Sequence, residues 1–160
     1  MKIFKFLLIS ALLIALSSCA EKPQALVSVN LAPVPYYLEV PEEIAKHLII
    51  ENMSLGEPSE FTKLARESGA IAQVYVNYRS TDGTIHGYAG IYYFKKIEFA
   101  KAQNPNEPPV FGSIVVEDNL FVLAVAGPQE SIFDTGTDDF TNSNLLHSII
   151  YDSKSYILAD

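Results

Sequence analysis

The chain has a single cysteine, no tryptophan and no apolar run long enough to cross a bilayer. One cysteine leaves no internal disulfide and no cysteine-rich metal site to build on. The uncharged stretch from Phe6 to Ser18 is well short of the ~20 residues a membrane-spanning helix needs. Bases are scarce too: residues 102–160 hold one, Lys154, against nine acids. So acidic a chain repels phosphate backbones, and no nucleic acid partner is expected. There is no Gly-x-Ser-x-Gly elbow, phosphate loop or dinucleotide fingerprint, and His47, His86 and His147 are too dispersed to form a ligand set by spacing. These absences favour a protein that is not an enzyme and carries no cofactor.

What is present begins at the N-terminus. Lys2 and Lys5 lead an almost wholly apolar run, Phe6 to Leu16, followed by Ser17-Ser18 and then Cys19. A secreted protein would show an Ala-x-Ala-like cleavage site, and Leu16-Ser17-Ser18 fits that poorly. The segment Leu16-Ser17-Ser18-Cys19 is similar to the lipobox of bacterial lipoprotein precursors. The resemblance implies cleavage before Cys19, lipid on its thiol, and acyl chains as the attachment to the membrane. Ala20 stands where an Asp typically retains such proteins in the inner membrane, so the resemblance implies the outer membrane. Two or three chains on one residue, at ~0.8 kcal/mol per buried methylene, make dissociation negligible.

Cleavage would leave nine basic side chains against nineteen acidic ones, on 142 residues, enough for one domain with its own core. The organisation read from the chain is residues 1–18 as signal peptide, 19–24 as lipidated tether and 25–160 as a single domain. Ala20 to Gln24, fully stretched, reaches no more than ~17 Å. The domain therefore stays close to its membrane.

Residue patterns predict an α+β fold: an antiparallel sheet of four to six strands built from two hairpins, with two or three helices. Val27, Val29 and Leu31 alternate like a strand. Pro41 to Ile50 is open between a short helix and a strand beginning at Leu48. Pro58 to Ser68 reads as a helix with Phe61, Leu64 and Ala65 on its packed stripe and Gly69 as its stop. Asp82-Gly83 between alternating runs predicts a two-residue hairpin, with Thr81 opposite Thr84. That register pairs Val74 with Ile91, Val76 with Ala89 and Tyr78 with Gly87 on one face, and Gln73 with Tyr92, Tyr75 with Gly90, Asn77 with Tyr88 and Arg79 with His86 on the other.

Lys95 to Gln103 is open between helix and strand. A second hairpin turns at Asp118-Asn119, with Val116 facing Phe121 and Ile114 facing Leu123, and both faces apolar as in central strands. Asp138, Asp139 or Thr141 would cap a final helix, and Tyr156-Ile157-Leu158 would add an edge strand.

Three constellations could carry function. Tyr75, Tyr88 and Tyr92, with Asn77 among them, would put flat rings and an amide on one sheet face, suited to a sugar or a peptide; the plainer account is that a helix covers this face. Asp134-Thr135-Gly136 resembles the active-site triplet of retropepsin-like aspartic proteases, in which two aspartates share a proton. Here Thr137 stands where Ala or Ser is usual. The same stretch offers Asp134, Thr137, Asp138 and Asp139 as oxygens for Ca²⁺, without an EF-hand spacing; a solvated loop is the simpler account. The reading favoured overall is a lipid-anchored, non-enzymatic domain that binds another envelope component, protein or glycan. A carbohydrate or peptidoglycan-fragment binder is the alternative, and an aspartic-type hydrolase comes third.

Overall fold

A computed structural model describes residues 24–53, 60–104 and 106–159, the side chain of Phe61 excepted. The expected signal peptide, Cys19 and most of the expected tether, together with Pro58, lie outside the described residues. In chain order the elements are β1 (Leu26–Asn30), β2 (Tyr36–Pro41), α1 (Glu42–Ala45), β3 (Leu48–Asn52), α2 (Glu60–Glu67), β4 (Ala70–Arg79) and β5 (Ile85–Lys95). They continue with α3 (Lys96–Ala102), β6 (Ser113–Glu117), β7 (Phe121–Ala126), α4 (Asp138–Ile150), a 3-10 turn (Ser153–Ser155) and β8 (Tyr156–Leu158).

The fold is α+β, with two antiparallel sheets where a single one was expected. Five strands run β3-β4-β5-β7-β6, and three run β1-β2-β8. Among the described residues there are four helices rather than two or three, because both open segments resolve: Pro41–Ile50 splits into α1 and β3, and Lys95–Gln103 becomes α3.

The five-stranded sheet is the middle layer. One face carries Val74, Val76, Tyr78, Tyr88, Ala89, Ile91, Leu123 and Val125, packed on Leu38 and Val40 of the small sheet and on Leu146 and Ile150 of α4. The other carries Tyr92, Phe94, Val122 and Ala124 under Ala65 of α2, Phe99 of α3 and Phe111. Burying side chains of this size contributes ~1.5–3 kcal/mol each, so two cores replace the disulfides the chain lacks.

Among the described side chains of α2, Thr62 and Ala65 are packed; Ala65 keeps its place in the predicted stripe, whereas Leu64 is exposed. Gly69 ends this helix at φ +92°, as its sequence position implies. The last helix is capped by Thr137, whose Oγ1 accepts from the Phe140 amide at 3.1 Å; the three residues named as caps all fall inside the helix.

Both hairpin registers need correcting, each for a local reason. Ser80 N–H donates to Thr84 O at 2.9 Å, so the first turn holds three residues, Thr81-Asp82-Gly83, with Gly83 at φ +88°. Pairing near the turn is therefore Tyr78 with His86 and Asn77 with Gly87, and Arg79 meets Ile85 rather than His86. A bulge then leaves Tyr88 without a cross-strand partner, and the predicted pairs Val76–Ala89, Tyr75–Gly90, Val74–Ile91 and Gln73–Tyr92 follow. The extra turn residue is compensated by the extra strand residue.

In the second hairpin, Asp118 N–H donates to Phe121 O at 3.0 Å, so Asn119 and Leu120 form the turn. Val116 faces Leu123 and Ile114 faces Ala124. Only β7 is central and buried on both faces; β6 is an edge strand with Ile114 exposed.

Candidate functional site

The tyrosines singled out in the sequence do not share a face. The bulge turns Tyr88 to the side of the sheet opposite Tyr92. Tyr88 is 4% exposed, and its hydroxyl donates to Ser143 O at 2.6 Å. Burial pushes this phenol up to about 12. Tyr92 is 1% exposed, edge-on to Phe111 at 5.3 Å, and lies over Gly90, where a Cβ would come 2.3 Å from its hydroxyl. Burial, and then the neighbouring Tyr75, hold its pKa far above the ordinary tyrosine value. Tyr75 and Asn77 are half-buried, and Asn77 Nδ2 donates to Glu51 Oε2 at 3.3 Å. Four residues proposed as one ligand surface are thus parts of two cores and a strand-to-strand contact.

The acidic stretch is also engaged internally. Thr137 Oγ1 donates to Asp134 O at 2.8 Å, and Asp139 turns inward to the first hairpin. Asp139 Oδ1 accepts from the Tyr78 hydroxyl at 3.0 Å, and Oδ2 from the Thr81 amide at 3.0 Å and hydroxyl at 2.8 Å. Among the described residues no group of three or more His, Asp or Glu side chains is placed to hold a metal ion. The retropepsin-like Asp134 belongs to the turn that leads into α4, with Gly136 at φ +87° completing it.

Two clefts remain. One, of about 410 Å³, is polar and lined by Glu43, Lys46, His47, Thr81, Asp138 and Asn142 among others. It lies at the hairpin tip. The His47 ring stacks on Tyr78 at 5.1 Å and its Nδ1 is 2.6 Å from Arg79 O. Ala25, near the start of the described chain, is close by: its carbonyl accepts from the Glu42 amide at 3.0 Å.

The second cleft, of about 490 Å³, is apolar and lies at the other end of β5. Lys95, Lys96, Ile97 and Ala100 from the start of α3 line one side, and Asn119, Leu120 and Phe121 the other. Its volume falls within the usual range of small-ligand sites. Asp118 builds it: Oδ1 accepts from the Leu120 and Phe121 amides, both at 2.7 Å. These bonds hold the Asp118 carboxyl below the ordinary aspartate range and fix a turn that leaves Leu120 68% exposed. Helix α3 buries Phe99 inward, which directs Ile97 outward at 62% exposure. Phe121 stacks on Tyr93 at 5.2 Å, and Tyr93 meets Tyr36 edge-on at 6.2 Å, so the cleft floor is braced by an aromatic row reaching the small sheet. Lys96 forms an ion pair with Glu117, while Lys95 has none among the described residues.

The sequence marked none of the apolar groove. Its one readable signal is Leu120 within a turn of polar residues, a place where a large apolar side chain gains nothing for folding.

Compared with protein-family models, curated proteins and solved structures, the chain finds no match in any of the three.

Proposed function

We propose that this protein is a non-enzymatic, lipid-anchored binding module of the cell envelope. Acyl chains on Cys19 hold it at the outer membrane, and the groove between α3 and the β6–β7 turn takes up another envelope component. The observation that carries the reading is the position of that groove. The tether junction at Ala25 packs beside α1, at the hairpin-tip end of the sheet. The groove sits at the far end of β5, whose eleven residues span ~33 Å at the rise of a strand. An anchor at one pole and an apolar groove at the other suit a module that reaches away from its own leaflet.

The glycan-binding alternative loses its physical basis, because Tyr88 and Tyr92 have no ring face to offer. Its aromatic platform is replaced by Ile97, Leu120 and Phe121, which carry no hydrogen-bonding groups for a sugar.

A photoreactive residue in place of Leu120, irradiated in living cells, tests the reading. Adducts to a defined envelope molecule, absent when the photoreactive residue stands at exposed Ser28 on the small sheet, are expected. Equal, unspecific labelling at both positions, or none at Leu120, would overturn it.

A further inference from the structure

The chemistry of the groove narrows its occupant, on the premise that it is the binding site just proposed. We infer that the groove binds a single-chain carboxylate amphiphile, a free fatty acid, with its hydrocarbon against Ile97, Ala100, Leu120 and Phe121 and its anionic head at Lys95.

Three backbone amides at the groove are already used. The Lys96 amide donates to Leu120 O at 2.8 Å, and the Leu120 and Phe121 amides are held by Asp118. A peptide strand or a sugar, each needing several directional partners, finds fewer of them on a lining of Ile97, Ala100, Leu120 and Phe121 than a hydrocarbon finds apolar surface. A hydrocarbon chain needs none. Edge strand β6 offers no better platform for a peptide, since a bulge between Ile114 and Val116 interrupts its ladder.

Charge fixes the other half of the ligand. The chain carries a formal charge of −8, yet two consecutive lysines stand at this rim. Glu117 neutralises Lys96, and Asp118 is turned into backbone amides, so Lys95 is the ammonium left for an anionic head. A bilayer surface fits less well than a free amphiphile. The rest of the acidic body would be repelled by anionic headgroups.

The test uses the mature lipoprotein in phosphatidylcholine nanodiscs, irradiated with a diazirine analogue of dodecanoate. Adducts should map to residues 95–101 and 119–121 and be competed by dodecanoate but not by dodecyltrimethylammonium. Leu120→Glu should lower labelling about tenfold, an amount equal to one decade in affinity. Lys95→Glu should weaken labelling and Lys95→Arg preserve it; both positions are exposed, so near-ultraviolet dichroism should match the parent. Labelling scattered over the surface, equal competition by the cation, or adducts of phospholipid mass would overturn the inference. A protein adduct at Leu120 in cells, with no dodecanoate labelling, would sink the fatty acid and leave the binding module standing. No adduct in either experiment removes both.

Discussion

The carboxylate of Asp139 holds both the amide and the hydroxyl of Thr81, two residues 58 positions apart, at 3.0 and 2.8 Å. The pair latches the first turn of α4 to the tip of the first hairpin, and Tyr78 adds a third bond from beneath. Burial pushes the Asp139 carboxyl up, but the Thr81 and Tyr78 hydrogen bonds, with the charge of His47, outweigh it and hold the pKa below the ordinary value.

Replacing this carboxylate should be costly. Asp139→Ala leaves a buried tyrosine hydroxyl and a backbone amide unsatisfied, at ~1–3 kcal/mol. Because the folded pKa is depressed, the stabilisation is fully present above the ~3.9 of an unfolded aspartate and is lost as pH falls through the folded value. Urea unfolding of the parent and of Asp139→Asn at several pH values should give midpoints that converge below pH ~4. Parallel curves would show that the ionised group contributes nothing.

Gly112 sits at φ +75°, and a Cβ there would lie 1.9 Å from Val125 O. Backbone cannot yield as a side-chain tip can. Gly112→Ala should lose upwards of ~2 kcal/mol, the sum of overpacking and the left-handed penalty. Gly83, with the same sign of φ but no atom within 4 Å of its Cβ, should lose less. Thermal melts of the two alanine variants decide the order.

The buried tyrosines should behave as core. Tyr92→Ala should cost ~3–5 kcal/mol, whereas Tyr88→Phe, which gives up only the bond to Ser143 O, should cost ~1 kcal/mol. Burial raises Tyr78 and Tyr88 to about 12, so both stay protonated in the fold while an unfolded tyrosine ionises. Their contribution is complete below pH ~10 and is lost as pH rises towards the folded values. In an alkaline titration, tyrosinate absorbance from these two rings should appear together with loss of far-ultraviolet dichroism, not before it.

Cys19→Ser removes the thiol that carries the lipid, so the variant should incorporate no acyl groups and should persist as the uncleaved precursor with its apolar leader, Phe6 to Leu16. Intact-mass spectrometry of the native product should show a chain that begins at Cys19 and carries acyl groups. A free thiol, or a different first residue, would count against the lipoprotein reading.

Fold class was legible because its signals are local. Asp82-Gly83 announces a turn, Gly69 a helix stop, and the apolar runs on either side of Asp118-Asn119 a hairpin. The far half of the first hairpin pairs as its alternation requires, from Val76–Ala89 onwards. What failed was register near each turn, because loop length depends on which amides a side chain captures: Asp118 takes those of Leu120 and Phe121, and Gly83 lets the first turn close on Ser80. One extra turn residue, and one bulge to offset it, reversed the side on which Tyr88 lies. That single reversal dissolved the tyrosine surface.

The sequence by itself determined the composition of the cores, the antiparallel α+β class and the resemblance of Leu16-Ser17-Ser18-Cys19 to a lipobox, because periodicity and turn chemistry act between near neighbours. The tertiary structure alone decided which face each tyrosine occupies, that two sheets form rather than one, and that Ile97 and Leu120, 23 positions apart in the chain, line one groove. Those outcomes depend on contacts between distant segments. Their free energy comes from burial, which no residue achieves until the rest of the chain has closed around it.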